Sequence, residues 1–122
     1  MNLNIGRRER EGIIILELSG RVVSGEECES FRRQVKDLLA SRQLSILLNL
    51  GDVSRIDSTG IGALVESVIV SAKEGGRLKL FKVPRLIRNI LSTHRLLQAF
   101  DIFETEDEAV ASFAAEAQRA AS

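Results

Sequence analysis

Ile46-Leu47-Leu48-Asn49-Leu50, followed by Gly51-Asp52-Val53-Ser54-Arg55 and, after Ile56, Asp57-Ser58-Thr59-Gly60, is the stretch that decides the fold. The first run is almost wholly apolar, as in a strand covered on both faces. The second is polar and reads as a short loop. From Ser58 onward, apolar residues at 61, 64, 65, 68, 69 and 72 keep the spacing of an amphipathic helix. Strand, loop and helix start in that order put the Ser58 and Thr59 hydroxyls where backbone N–H groups lack partners and the helix dipole is positive. Such a place suits a capping side chain, and it also suits a phosphate.

Working outward, Leu3 and Ile5 alternate with polar neighbours and Glu11-Gly12 offers a turn into Ile13–Leu18, so the chain opens on a hairpin that Gly20 ends. Ser24-Gly25-Glu26-Glu27 has the capping-box spacing, with Ser24 as the cap. Behind it Cys28, Phe31, Val35, Leu38 and Leu39 share one helical face. The helix from Ser58 runs to about Lys73, where Gly75-Gly76 stops it. Leu78–Val83 reads as a strand, and Pro84 suits the first turn of a helix burying Val83, Leu86, Ile87, Ile90 and Leu91. Ile102-Phe103 is a last short strand, and Thr105-Glu106-Asp107-Glu108 repeats the capping box before a helix carrying Ala109, Val110 and Phe113. The order β-β-α-β-α-β-α-β-α implies an α/β fold, a single domain over residues 1–113 with a mixed sheet covered by helices. Residues 114–122 form an alanine-rich C-terminal tail of weak periodicity. Sites in open sheets of this kind gather beyond the carboxyl ends of the strands, where the 51–58 segment is expected.

The chain has 122 residues, enough for one core without disulfides or metals. Its 17 basic and 17 acidic side chains balance, which argues against non-specific binding to nucleic acid. One cysteine and one histidine fit a reducing compartment and leave little for a metal site. With no signal-peptide core at the start and no long apolar run, a cytoplasmic protein is expected.

Several chemistries compete for these residues. Ser58 reads both as a helix N-cap and as a phosphate acceptor, with Thr59 as the fallback acceptor. On the same helix Thr59, Gly62, Ala63, Glu66 and Val70 form a face with a single charge, which reads as a docking surface or as a second covered face. A hydrolase reading lacks the Gly-x-Ser-x-Gly setting for Ser58 and has His94 alone as a base; His94 reads as a helix terminator. Asp52 and Asp57 follow a buried strand, as phosphoaccepting aspartates do, but the acidic metal cluster and partner lysine of that chemistry are not evident. No phosphate-binding Gly-x-x-x-x-Gly-Lys loop occurs, and Cys28 reads as a core residue.

Leu18-Ser19-Gly20-Arg21-Val22, Leu47-Leu48-Asn49-Leu50 with the segment to Ile56, Asp57-Ser58-Thr59-Gly60-Ile61-Gly62, Gly75-Gly76 before Leu78, and Phe100-Asp101-Ile102-Phe103-Glu104-Thr105 resemble the STAS domain family of bacterial anti-sigma factor antagonists, over about residues 3–113. The resemblance implies a binding module and not an enzyme. Its partners would be an anti-sigma factor that is also a serine kinase, which phosphorylates Ser58, and a serine phosphatase that restores it. Asp57, Ser58, Thr59, Gly60, Gly62, Ala63, Glu66 and Val70 would form the partner surface, with Asp57 shaping the loop and Gly60 and Gly62 admitting a partner backbone. No metal, cofactor, DNA contact or membrane insertion is implied. Two departures stand out: Val23 replaces a frequent aspartate, which leaves Ser24 as the cap, and His94-Arg95-Leu96 replaces a frequent Thr/Ser-Gly-Leu. The alternatives are a STAS subunit of a transporter or signalling complex without a phosphorylation switch, and a small serine hydrolase.

Overall fold

The structure is a computed structural model and describes residues 3–121. A mixed sheet of β1 (Leu3–Arg10), β2 (Ile13–Val22), β3 (Ser45–Ile56), β4 (Arg77–Phe81) and β5 (Ile102–Phe103) lies in that spatial order. β1 and β2 form the expected antiparallel hairpin, while β2 to β5 run parallel. The helices are α1 (Glu26–Ala40), α2 (Ser58–Lys73), α3 (Arg85–Thr93) and α4 (Glu106–Ala121), with a single tighter turn at Leu97–Ala99. The expected element order is the observed one.

Alternation along the strands divides the interior in two. Ile14, Leu16, Leu18, Ile46, Leu48, Leu50, Leu78 and Leu80 face α1, α2 and α3. Ile13, Ile15, Leu47 and Phe81 face Ala109, Val110 and Phe113 of α4. The central strand β3 is therefore covered on both faces, as its apolar run predicts.

Several local expectations need correction. Residues 51–55 are not a loop: β3 continues to Ile56 and pairs with the end of β2, Ser19 against Asp52 and Val22 against Ile56, across two irregularities of register. Val53 and Ile56 remain buried there, which anchors the extension despite its polar composition. The α1 cap is Gly25, which bonds through no side chain; the Ser24 backbone N–H is engaged elsewhere, by Asp57. Leu86 is 57% exposed, so the buried stripe of α3 is narrower than its spacing suggests and rests on Ile87 and Leu91. Thr105 and Glu108 do form their reciprocal capping box. Residues 114–121 continue α4, and Glu116 reaches back to Lys79 and Arg77 of β4.

Gly75 ends α2 in the left-handed region at φ 84°, and the Gly76 N–H bonds back to the Ser71 carbonyl at 2.8 Å. His94 closes α3 at φ −95°; the left-handed residue is the next one, Arg95, at φ 58°. A terminator is present, one position later than the histidine.

Candidate functional site

The start of α2 is built around Asp57. Its backbone is extended, and its N–H reaches the Val22 carbonyl at 3.3 Å. One carboxylate oxygen accepts from the Gly60 N–H at 2.9 Å, the other from the Ser24 N–H at 3.0 Å. Asp57 therefore caps α2 and also ties the segment after β2 to it. These N–H donors, Ser24 first and Gly60 next, hold the Asp57 carboxyl below the usual aspartate range by stabilising its charge.

The helix cap is thus Asp57 and not Ser58. Ser58 is the first helical residue; it is exposed, and its hydroxyl has no hydrogen-bond partner among the described residues. Thr59 beside it is half-buried. Because Asp57 already places a negative group on the helix start, a phosphate on Ser58 would meet a like charge there. The favourable helix-dipole site is already occupied by the Asp57 carboxylate.

Gly60 has an internal role. A side chain there would overlap the Val22 carbonyl oxygen and come within 2.7 Å of Ile56 Cγ1. Its lack of a Cβ lets α2 close against the ends of β2 and β3, which fixes where Ser58 stands, and no partner backbone is needed to explain it. Gly62 is different: it is exposed, and a Cβ there would meet only Arg32 Nη2, at 4.0 Å.

The expected docking face is divided by the fold. Ala63 is fully buried and cannot touch a partner. Glu66 is ion-paired with Arg32 of α1, so its charge is compensated within the domain. Thr59 and Val70 are half-buried. α2 turns its small residues inward, Gly60, Ala63, Ser67 and Ser71, with Leu64 the one bulky group among them. Small side chains allow close approach to the sheet and α1, and they push the larger apolar ones to the flanks. Ile61, Val65 and Val68 are consequently half-exposed, Ala72 is exposed and Ile69 is 48% exposed, although their spacing reads as a core stripe. Ser67 tolerates burial because its hydroxyl donates to the Ala63 carbonyl at 2.7 Å.

Ser58 stands at the lip of an open groove of about 440 Å³ between the start of α2 and the end of α3, lined by Ile56, Asp57, Ser58, Ile61, Ile90, His94 and Leu96. Sequence reasoning did not place Ile90, His94 or Leu96 beside Ser58. The signal was that His94-Arg95-Leu96 departs from the pattern the rest of the chain follows. No hydrogen bond joins His94 to Ser58 or to an orienting acid among the described residues. Asp52 stands exposed on β3, and no group of side chains able to hold a metal ion occurs among the described residues. Cys28 is buried against the sheet, and burial pushes its thiol pKa up, as for a core cysteine.

The STAS domain description matches residues 4–109. An anti-sigma F factor antagonist of Paenibacillus polymyxa is 25% identical over 111 residues, covering 90% of this chain and 94% of that one. An anti-sigma-B factor antagonist of Bacillus subtilis is 29% identical over 107 residues, covering 88% of each. Among solved structures, the Bacillus cell fate determinant SpoIIAA in its phosphorylated form superposes with a TM-score of 0.71 at 18% identity, covering 90% of this chain and 99% of that one. At that identity the likeness speaks for the fold. With nearly the whole sheet-and-helix unit inside the matched residues, the chain belongs to the STAS domain family.

Proposed function

We propose that this chain is an anti-sigma factor antagonist that binds its partner across the groove beside Ser58 and releases it when Ser58 is phosphorylated. The observation that carries the reading is the position of the Ser58 hydroxyl. It is exposed and unbonded at the lip of an apolar groove, while Asp57 alone performs the capping. A serine relieved of capping can be modified without dismantling its helix.

The contact surface in this reading is narrower than the sequence suggests. Asp57, Ser58, Thr59 and Gly62 stay on it, and Ile61, Ile90 and Leu96 join it from the groove. Phosphate adds about −1.5 to −2 charges and three acceptor oxygens. Placed beside Asp57 and against an apolar contact, that charge meets a like charge and loses its water when the partner seats. A like-charge or desolvated anion in an interface costs several kcal/mol, and each ~1.4 kcal/mol is tenfold in affinity. No refolding of the antagonist is required.

The partner in this reading is an anti-sigma factor with serine kinase activity, a serine phosphatase reverses the modification, and the setting is the cytoplasm. Ser58 is the acceptor ahead of Thr59 because it is the more exposed. In this reading the chain acts as the kinase's substrate and not as a hydrolase: His94 shares the groove, but among the described residues no acid orients it. Incubation with the cognate kinase-type anti-sigma factor and ATP, followed by peptide mapping, tests the assignment. Phosphate on Ser58, lost in Ser58→Ala, is expected; equal labelling of Ser58→Ala overturns it.

A further inference from the structure

We infer that Arg21 and Arg55 form a cationic clasp for an acidic segment of the protein that docks at Ser58, so the partner contact extends from the groove over the ends of β2 and β3. The inference rests on the docking reading above and adds the chemistry of the partner.

Arg21 and Arg55 are register partners in the parallel pairing of these strands. Adjacent strands lie ~4.8 Å apart, so two guanidinium groups start from neighbouring backbone positions. Both residues are exposed, and neither is within ion-pair reach of an acid among the described residues. The next pair, Val22 and Ile56, turns into the core beneath α1 and α2. Strand alternation therefore aims Arg21 and Arg55 at the other face, beyond the Ile13, Ile15, Leu47 and Phe81 cluster that α4 covers.

Like charges set side by side across strands destabilise a sheet. Some arginines are given acids: Glu106 takes Arg8 and Arg10, Glu66 takes Arg32, and Glu116 takes Arg77. Arg7, Arg33, Arg85 and Arg95 are given none among the described residues, but only Arg21 and Arg55 stand opposite each other across two strands. At the Arg21–Arg55 pair no acid is supplied. Asp52, three residues before Arg55, stands opposite Ser19, and the Asp57 carboxylate is occupied by N–H donors. Two unpaired guanidinium groups with planar donor forks match carboxylates in pairs. The pair also lies on the rim that carries Ser58: Arg55 precedes Ile56-Asp57-Ser58, and the Val22 carbonyl after Arg21 receives the Asp57 N–H. A partner seated in the apolar groove reaches the clasp by crossing that rim.

The test has two arms. In the first, the full chain is titrated against the kinase-type anti-sigma factor of the same genome, with Arg21→Glu, Arg55→Glu, Ser58→Asp and, as a control, Arg33→Glu on the exposed face of α1. Charge reversal at either clasp residue should lower the association rate about tenfold at low salt, because steering by complementary charge acts chiefly on encounter and is screened by ions. Arg33→Glu should change it by less than about twofold, as expected for a charge outside the contact. Loss with Ser58→Asp but not with the clasp variants overturns the clasp and leaves the switch standing. Loss with the clasp variants but not with Ser58→Asp does the reverse. In the second arm, the chain alone is titrated with hexaglutamate and followed by amide NMR. Shifts concentrated at residues 19–22 and 53–56, and abolished in Arg21→Gln/Arg55→Gln, support the clasp even if no kinase binds. Shifts spread over every basic surface, or centred on α1, overturn it.

Discussion

On one face of the sheet α1, α2 and α3 bury a broad apolar layer that includes Phe31, Leu38, Leu48, Leu64, Leu80 and Ile87. On the other, α4 alone covers a smaller cluster and is fastened by charge as well as by packing. Glu106 bonds to Arg8 and Arg10 of β1, Glu17 of β2 joins Arg8 and Asn49, and Glu116 takes Lys79 and Arg77 of β4. Lys79 is 1% exposed, with its ammonium 2.9 Å from Ser112 Oγ and 4.5 Å from the Phe113 ring centroid. The difference teaches that the Ser58 site stands on the face held mainly by shape, with the Arg32–Glu66 pair and the Asp57 cap its few charged contacts, while pH and salt act first on α4.

The heaviest blow to the shape-held face should come from Gly60→Ala. One methyl group there must displace the Val22 carbonyl or Ile56. Overpacking of a tight seam costs about 1–3 kcal/mol and sometimes more, and the backbone obstacle here argues for the upper end. Denaturant titration of the variant checks it; a melting curve like the parent's would mean that α2 is free to move and that Ser58 is not fixed as described.

On the charge-held face, Lys79→Ala should cost about 2–3 kcal/mol, less than the ~3–5 of a fully buried pair because Glu116 keeps access to water and to Arg77. Lys79→Met keeps the volume and gives Glu116 back to Arg77, so it should cost less than about 1 kcal/mol, as apolar replacements of buried ions often do. If the two variants are equally damaged, the ion pair itself holds α4 and packing of the lysine stem does not.

Acid should separate the faces. Arg8 and then Arg10 hold the Glu106 carboxyl down to about 2, and Arg8 and Lys79 lower Glu17 and Glu116. A carboxyl whose folded pKa is depressed contributes stability in full above its ordinary value near 4.5; that contribution disappears as pH falls toward 2. Amide protection at Ala109 and Val110 should therefore fall more between pH 5 and pH 3 than protection at Leu64, by roughly 1 kcal/mol for such partly exposed networks. Glu106→Gln should remove most of the difference. Parallel loss on both faces would show that α4 and α2 open together, and the comparison would fail.

The sequence exposed the element order because each segment's period agrees with its neighbours' turn chemistry, as at Gly75-Gly76 and at Thr105–Glu108. It misled where a side chain's role depends on a partner far along the chain. Ser24 and Ser58 both occupy cap-like positions, yet Asp57 captures the Ser24 and Gly60 N–H groups and displaces both serines from that role. Leu78–Val83 reads as a strand, but nothing nearby in the chain tells that Lys79 is buried, because the carboxylate that meets it comes from Glu116, 37 residues later. In α2 the apolar period marks the wrong face as deepest, because contact distance, set by Gly60, Ala63, Ser67 and Ser71, outweighs side-chain hydrophobicity at a close crossing. Residues 51–55 look like a loop because periodicity is blurred by the irregular register against β2.

The smallest expected change in stability is at the switch itself. Ser58 is exposed and does not cap α2, so Ser58→Asp removes no bond on either face and should alter stability by no more than about 0.5 kcal/mol. The new carboxylate lies beside Asp57, whose repulsion offsets its attraction to the helix start, so a gain in stability is not expected either. Partner affinity should nonetheless fall, though by less than with phosphate, because aspartate carries one charge against about two and has fewer acceptor oxygens. The measurement pairs thermal melts of both proteins with titration of each against the kinase-type partner. Weaker binding with superimposable melts places the effect in the interface. Weaker binding that follows a lower melting point would instead mean that Ser58 supports the helix, and that the shape-held face does not insulate the switch from the fold.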